Sequence, residues 1–120
     1  MANVLIVDDD TDLLHTLADA FILFGHTVTT SVNGLEALEF FKQSAFDVAV
    51  VDVEMPGLNG LELTREIKNR KPDFPIILIT AYSHLYRPQD VLSLDVEAFL
   101  KKPLNIQELV RIVENVLEQR

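Results

Sequence analysis

The chain has 120 residues, 48% hydrophobic and 24% charged, which suits one globular domain spanning residues 1–120 rather than a disordered chain. It contains no cysteine, so disulfides, thiol catalysis and thiolate metal sites are excluded and a cytoplasmic setting is expected. With 19 acidic against 10 basic residues and a net charge of −9, its surface repels nucleic acid and anionic membrane but suits a divalent cation or a basic patch on a partner.

The first predicted strand is "NVLIV" at 3–7. It follows a start that lacks the length and basic flank of a signal peptide, and no apolar run is long enough to span a bilayer. This strand runs straight into Asp8, Asp9 and Asp10, with Asp12 close behind. Crowded carboxylates repel one another, so a compensating positive charge is expected beside them. A helix follows, with Leu13, Leu14, Leu17, Phe21 and Phe24 at the i, i+4 spacing of one buried face. Asp10 and Asp12 are assigned to its cap and first turn.

"TVTTS" at 27–31 is the second strand, and "NGLE" at 33–36 opens the second helix. Asn three residues before Glu is the pattern of a capping box, and Leu35, Leu38 and Phe41 mark that helix's apolar side. The third strand, "VAVVD" at 48–52, closes on Asp52. After a loop with Pro56 and Gly57, a second "NGLE" at 59–62 starts the third helix, with Leu61, Leu63 and Ile67 facing inward. Gly60, next to the strand end, suits a close backbone approach.

"PIILIT" at 75–80 is the fourth strand and ends in Thr80. In the stretch 81–97, Pro88 predicts a short fourth helix beginning near that proline. "AFL" at 98–100 is the fifth strand and leads into Lys101, Lys102 and Pro103. "NIQE" at 105–108 caps the last helix, whose stripe is Ile106, Leu109, Val110, Val113, Val116 and Leu117, with Ile112 at its flank. His15, His26 and His84 share no ligand spacing, and Phe40, Phe41 and Phe46 are assigned to packing.

This alternation of near-continuous apolar strands with helices predicts an α/β fold, a parallel five-stranded sheet covered on both faces. In such sheets ligands bind beyond the carboxyl ends of the strands. There the sequence puts Asp8 and Asp9, Asp52, Thr80, and Lys101 with Lys102. Three carboxylates need a cation, and hard oxygen donors in small number suit Mg²⁺, with Mn²⁺ as a substitute. Metal, ammonium and hydroxyl around a carboxylate make a site for phosphoryl transfer, in which the carboxylate can be the nucleophile. Neither G-x-x-x-x-G-K-[ST] nor G-x-G-x-x-G occurs, so the phosphate must arrive on something other than a bound nucleotide.

The chain resembles the receiver domain of two-component response regulators along essentially its whole length. The resemblance rests on Asp8–Asp9 after "VLIV", Asp52 in "VAVVDVEMPGLNG", Thr80–Ala81 in "IILITAY" and Lys102–Pro103 in "AFLKKP". It implies a doubly wound (βα)5 fold with strand order 2-1-3-4-5, an order that a well-known member of this family illustrates. It implies that Asp52 accepts the phosphoryl group from a histidine kinase or phosphotransfer protein. Asp9, Asp52 and the backbone carbonyl of Glu54 would hold Mg²⁺ directly, with Asp8 acting through water. Lys102, the Thr80 hydroxyl and backbone N–H groups near Val53 and Ala81 would contact phosphoryl oxygens. Thr80 and Phe99 would form the switch pair, and the Lys102–Pro103 bond would be cis.

By the same resemblance, the fourth helix, fifth strand and last helix form the output surface, for a target protein, an attached output domain or a phosphorylation-dependent homodimer. Glu54 and Tyr82, two residues after Asp52 and Thr80, would flank the path of hydrolytic water and set phosphate lifetime. The sequence departs from the family where Asp95–Val96 replaces a common Gly-Ala, and Phe99 lacks the hydroxyl that a tyrosine carries there in some relatives. Two other functions compete: an Mg²⁺-dependent phosphatase built on the triplet Asp52–Val53–Glu54, and a pseudo-receiver that only binds proteins. The first lacks a cap insertion; the second would normally have lost an acid or the lysine. A flavodoxin-like cofactor binder would need a phosphate-cradling loop that is missing.

Overall fold

Five short apolar runs become five parallel strands. In the computed structural model, which describes residues 1–81 and 93–119, the chain runs β1 (Asn3–Val7), α1 (Thr11–Leu23), β2 (Thr27–Ser31), α2 (Gly34–Gln43), β3 (Val48–Asp52), α3 (Gly60–Arg70), β4 (Ile76–Thr80), β5 (Ala98–Lys101) and α4 (Ile106–Glu118). The sheet order is β2-β1-β3-β4-β5, all parallel, the doubly wound arrangement expected. Each strand lies within one residue of its predicted bounds. The helix expected near Pro88, together with Tyr82 and His84, lies outside the described residues, so the final helix is α4 here. Among the described residues no helix is long and apolar enough to cross a membrane.

The strand period of two divides the core into two halves. Leu5, Val7, Ala49, Val51, Ile76 and Leu78 point to one face, where they meet Leu38 and Phe41 of α2 and Leu63 and Ile67 of α3. Val4, Ile6, Val48, Val50, Ile77 and Ile79 point to the other, where they meet Leu14, Leu17 and Phe21 of α1 and Leu109, Val110 and Val113 of α4. Strands β3 and β4 are buried at every residue. That is why they carry no polar alternation and why their last residues, Asp52 and Thr80, can be held in a fixed, largely dry place. Phe40 and Phe99 pack against the α2–α3 half, and Ile112 sits at the edge of the other.

Each described helix begins at the cap residue that the sequence suggested. Asp10 caps α1 by accepting from the Leu13 N–H at 3.1 Å, and Asn33, Asn59 and Asn105 accept from the N–H groups of Glu36, Glu62 and Glu108. The reciprocal capping box closes at Asn59, whose N–H donates to Glu62. At α2 the Glu36 carboxylate accepts instead from the Ser31 hydroxyl, at 2.9 Å, tying the helix to the end of β2.

Two apolar assignments are corrected. Phe24 is exposed because α1 ends at Leu23 and Gly25, at φ 90°, turns the chain away. Leu35 is also exposed: the buried side of α2 runs through Gly34, Ala37, Leu38 and Phe41, and Leu35 is one residue out of phase. Asp95 stands at φ 56°, in the left-handed region that Asp enters more readily than most residues.

Candidate functional site

The parallel strands deliver their carboxyl ends to one rim. Asp8 follows β1, Asp52 ends β3, Thr80 ends β4, and Lys102 follows β5. The backbone fixes these junctions: the Asp8 N–H donates to the Ser31 carbonyl, Val53 N–H to Ile79 and Lys102 N–H to Thr80, at 3.0, 2.9 and 2.7 Å. The Lys102–Pro103 peptide is cis, as expected. Gly60 provides the close approach: a Cβ there would lie 2.2 Å from the Asp52 carbonyl oxygen. Gly34 is equally constrained, against the Leu58 carbonyl, and no sequence cue distinguished it from an ordinary cap glycine.

Asp8, Asp52 and Thr80 are buried, while Asp9 is exposed at the mouth. Asp8, Asp9 and Asp52 each offer a carboxylate oxygen, all within 4.8 Å of one another. This all-oxygen set fits a hard divalent cation of the Mg²⁺ type better than zinc or copper. Asp8 uses Oδ1 to accept from the Asp10 N–H at 2.9 Å. Its buried Oδ2 has no well-aligned hydrogen bond but faces the Lys102 ammonium at 2.9 Å. Lys102 also reaches Asp52 Oδ2 at 3.4 Å, and Asp52 Oδ1 accepts from the Glu54 N–H at 3.3 Å.

Electrostatics follow from this crowding. Burial, then the charge of Asp8, push the Asp52 carboxyl up to about 7 from an ordinary 3.8; Lys102 opposes them, while the Glu54 charge adds to the rise. Burial also works against the charged form of Lys102. Its bond to Asp8 and the negative charges of Asp52 and Asp8 outweigh that and raise it above the usual lysine value. The lysine therefore stays an ammonium, and Asp52 is the group whose charge is least settled without a further cation.

Of the sequence-predicted residues, Asp8, Asp9, Asp52, Lys102, Thr80 and the Glu54 backbone gather at this rim. Lys101 is exposed, a solvated neighbour as expected. Phe99 is half-buried on the same sheet face as Leu78 and Thr80, in register with Leu78 and thus diagonal to Thr80. Tyr82 lies outside the described residues. The Val53 N–H is taken by the sheet, leaving the Glu54 N–H nearer the Asp52 carboxylate. The unforeseen contact is the Glu54 side chain: its carboxylate accepts from the Thr80 hydroxyl and, at 3.0 Å, from the Ala81 N–H. No local pattern signals that contact, because the partners are 26 and 27 residues away.

This site and fold agree with comparison to known proteins. Residues 4–114 match the model of the response regulator receiver domain. The chain is 34% identical over 117 residues to the response regulator SaeR of Staphylococcus aureus, covering 98% of this chain and 51% of that protein. It spans about half the length of the curated relatives it matches. Among solved structures, the response regulator TrrA of Thermotoga maritima, determined in complex with Mg²⁺-BeF, is 36% identical at a TM-score of 0.87, covering 97% of this chain and 99% of that one. A Francisella response regulator receiver domain is 27% identical at a TM-score of 0.92, covering 99% and 98%. The chain belongs to the response regulator receiver domain family, and its pocket of Asp8, Asp9 and Asp52 fits that family's phosphoacceptor site.

Proposed function

We propose that Asp52 is the residue that accepts the phosphoryl group, from the phosphohistidine of a histidine kinase or phosphotransfer protein. The observation that carries this reading is the position of Asp52: buried at the carboxyl end of the central strand, 3.4 Å from the Lys102 ammonium and within a three-carboxylate cluster. Asp52 Oδ attacks phosphorus, one O–P bond forms, and the bond to the donor breaks with its electron pair leaving on the donor. Asp9, Asp52 and the Glu54 carbonyl, with Asp8 acting through water, would hold Mg²⁺ (or Mn²⁺), which would supply positive charge to offset the phosphoryl oxygens. Lys102 supplies a further fixed positive charge, and Thr80 supplies a hydroxyl donor. Drawing Thr80 toward the new phosphoryl group frees space on its sheet face for Phe99, coupling the site to β5 and the neighbouring α4.

On this reading residues 1–120 act as one receiver unit in the cytoplasm, with no turnover of an external substrate. The switched surface around β5 and α4 meets a target, an attached output domain or a second copy of the chain. Glu54 and Tyr82 set the lifetime of the phosphoryl group. The test is intact mass after incubation with acetyl phosphate, with and without Mg²⁺, on wild type and Asp52→Asn. One metal-dependent phosphoryl adduct, absent in Asp52→Asn, is expected. An adduct that persists in Asp52→Asn refutes the assignment of Asp52, and failure to bind either phosphoryl or beryllofluoride favours a pseudo-receiver.

A further inference from the structure

The Glu54 carboxylate occupies the donors that an aspartyl phosphate on Asp52 needs. Its Oε2 accepts from the Thr80 hydroxyl and its Oε1 from the Ala81 N–H at 3.0 Å. A hydroxyl and a peptide N–H side by side at the end of β4 form a two-point anion seat, and a carboxylate presents two oxygens to it much as a phosphoryl group does. Glu54 reaches the seat from the β3–α3 loop, two residues after Asp52, so the occupant and the acceptor share one short tether. Its side chain is only half-buried, so it can leave into solvent without unpacking the core.

We infer that Glu54 is an internal competitor for the phosphoryl group: it fills the Thr80–Ala81 seat in the unphosphorylated protein and has to be displaced before that seat can serve a phosphoryl group on Asp52. The inference rests on the reading of Asp52 as acceptor. Two consequences follow. The Thr80 hydroxyl is already engaged by an anion before phosphorylation, which narrows the difference between the two switch states at that residue. Any oxyanion or phosphoryl mimic must also win the seat from a tethered carboxylate at high effective concentration, so the chain discriminates against weak donors.

The test uses beryllofluoride as the phosphoryl probe, titrated by ¹⁹F NMR at saturating Mg²⁺ into wild type, Glu54→Ala, Glu54→Asp and Asp52→Asn. The Ala81 amide is followed in ¹H–¹⁵N spectra of the metal-free proteins, which also verify that each variant is folded. Removing the competitor should tighten beryllofluoride binding on the order of tenfold, the equivalent of one net charge-assisted hydrogen bond. Glu54→Asp keeps the charge but shortens the reach by one methylene, so it should behave like Glu54→Ala. The Ala81 amide should move upfield in both variants before probe is added and converge with wild type once beryllofluoride is bound.

If Glu54→Asp binds as wild type does while Glu54→Ala tightens, nearby charge alone is responsible and the seat competition is refuted. Equal or weaker binding by Glu54→Ala also refutes it, while leaving the acceptor reading intact. If no variant binds, or if Asp52→Asn binds as well as wild type, the acceptor reading itself fails, and this inference with it.

Discussion

Asp52→Asn isolates the electrostatic cost of gathering carboxylates at the rim. Burial and the Asp8 charge hold the Asp52 carboxyl at about 7, against an ordinary 3.8 in the unfolded chain. Below about pH 4 the group is protonated in both states and contributes no pH dependence. As pH rises from there to about 7, the unfolded chain releases the proton while the folded chain keeps it. The folded state then loses stability by roughly 1.4 kcal/mol per pH unit, and the loss levels off above about 7. Taken whole, the interval from 3.8 to about 7 corresponds to about 4 kcal/mol. Part of it relaxes because Asp8 and Asp52 share one field, so Asp52→Asn should stabilise the metal-free protein by about 2–4 kcal/mol at pH 8. The assay is urea unfolding followed by far-UV circular dichroism in EDTA, from pH 4.5 to 8, on wild type and Asp52→Asn. The gap should be widest at pH 8, shrink steadily toward pH 4.5, and narrow at pH 8 when Mg²⁺ replaces EDTA. An Asn variant no more stable than wild type at pH 8, or a gap independent of pH, refutes the reasoning.

Lys102→Ala removes the ammonium 2.9 Å from the fully buried Asp8 carboxylate; it should cost about 3 kcal/mol in EDTA and recover in part with Mg²⁺, read from urea midpoints. Gly60→Ala drives a Cβ to 2.2 Å from the Asp52 carbonyl oxygen; because both groups are backbone-fixed, thermal unfolding should report a loss of about 3 kcal/mol, together with weaker Mg²⁺ binding. At φ 56°, Asp95→Gly should raise stability by about 0.5–1 kcal/mol and Asp95→Val lower it by about 1–2 kcal/mol, both read from chemical denaturation.

The strands were legible because both faces of the sheet are covered. "VLIV", "VAVV" and "IILI" have no polar phase to mistake, and each ends abruptly at a residue that cannot stay in the core without a task. The helix starts were legible because Asn before Gly-Leu-Glu or Ile-Gln-Glu satisfies orphan N–H groups locally. Helix phase was less so. Leu35 and Phe24 are apolar in type, yet one lies about 100° off its helix's buried stripe and the other lies past the last turn. Contacts between distant residues left no trace in the sequence. His26 accepts from the Ala2 N–H at 3.2 Å through Nδ1 and pairs with Glu114 through Nε2, joining the N-terminus, β2 and α4. Nothing within a few residues of any of the three announces it. The rim was readable as a set of residue types; the direction of the Glu54 side chain was not.

That direction bears on how the site divides its charges. Among the described residues, the cation half belongs to β1 and β3: Asp8, Asp9 and Asp52 against Lys102, three negative charges facing one positive. The excess is two, which a divalent ion balances and a second lysine would not, since Lys101 lies outside in solvent. The anion half belongs to the end of β4, where a hydroxyl and an N–H meet a carboxylate from the same chain. Thr80 is buried while the Ala81 N–H lies open to solvent, so a receiver without Glu54 would have to fill this seat with water or leave Thr80 to turn away. Filling it with Glu54 gives both donors an acceptor in the resting protein, but it adds a fourth negative charge beside Asp52 and so raises the need for a cation. The two halves are therefore tied through a single loop position, whose backbone serves the acid cluster and whose side chain serves the anion seat. Shortening that side chain while keeping its charge is the substitution that separates them.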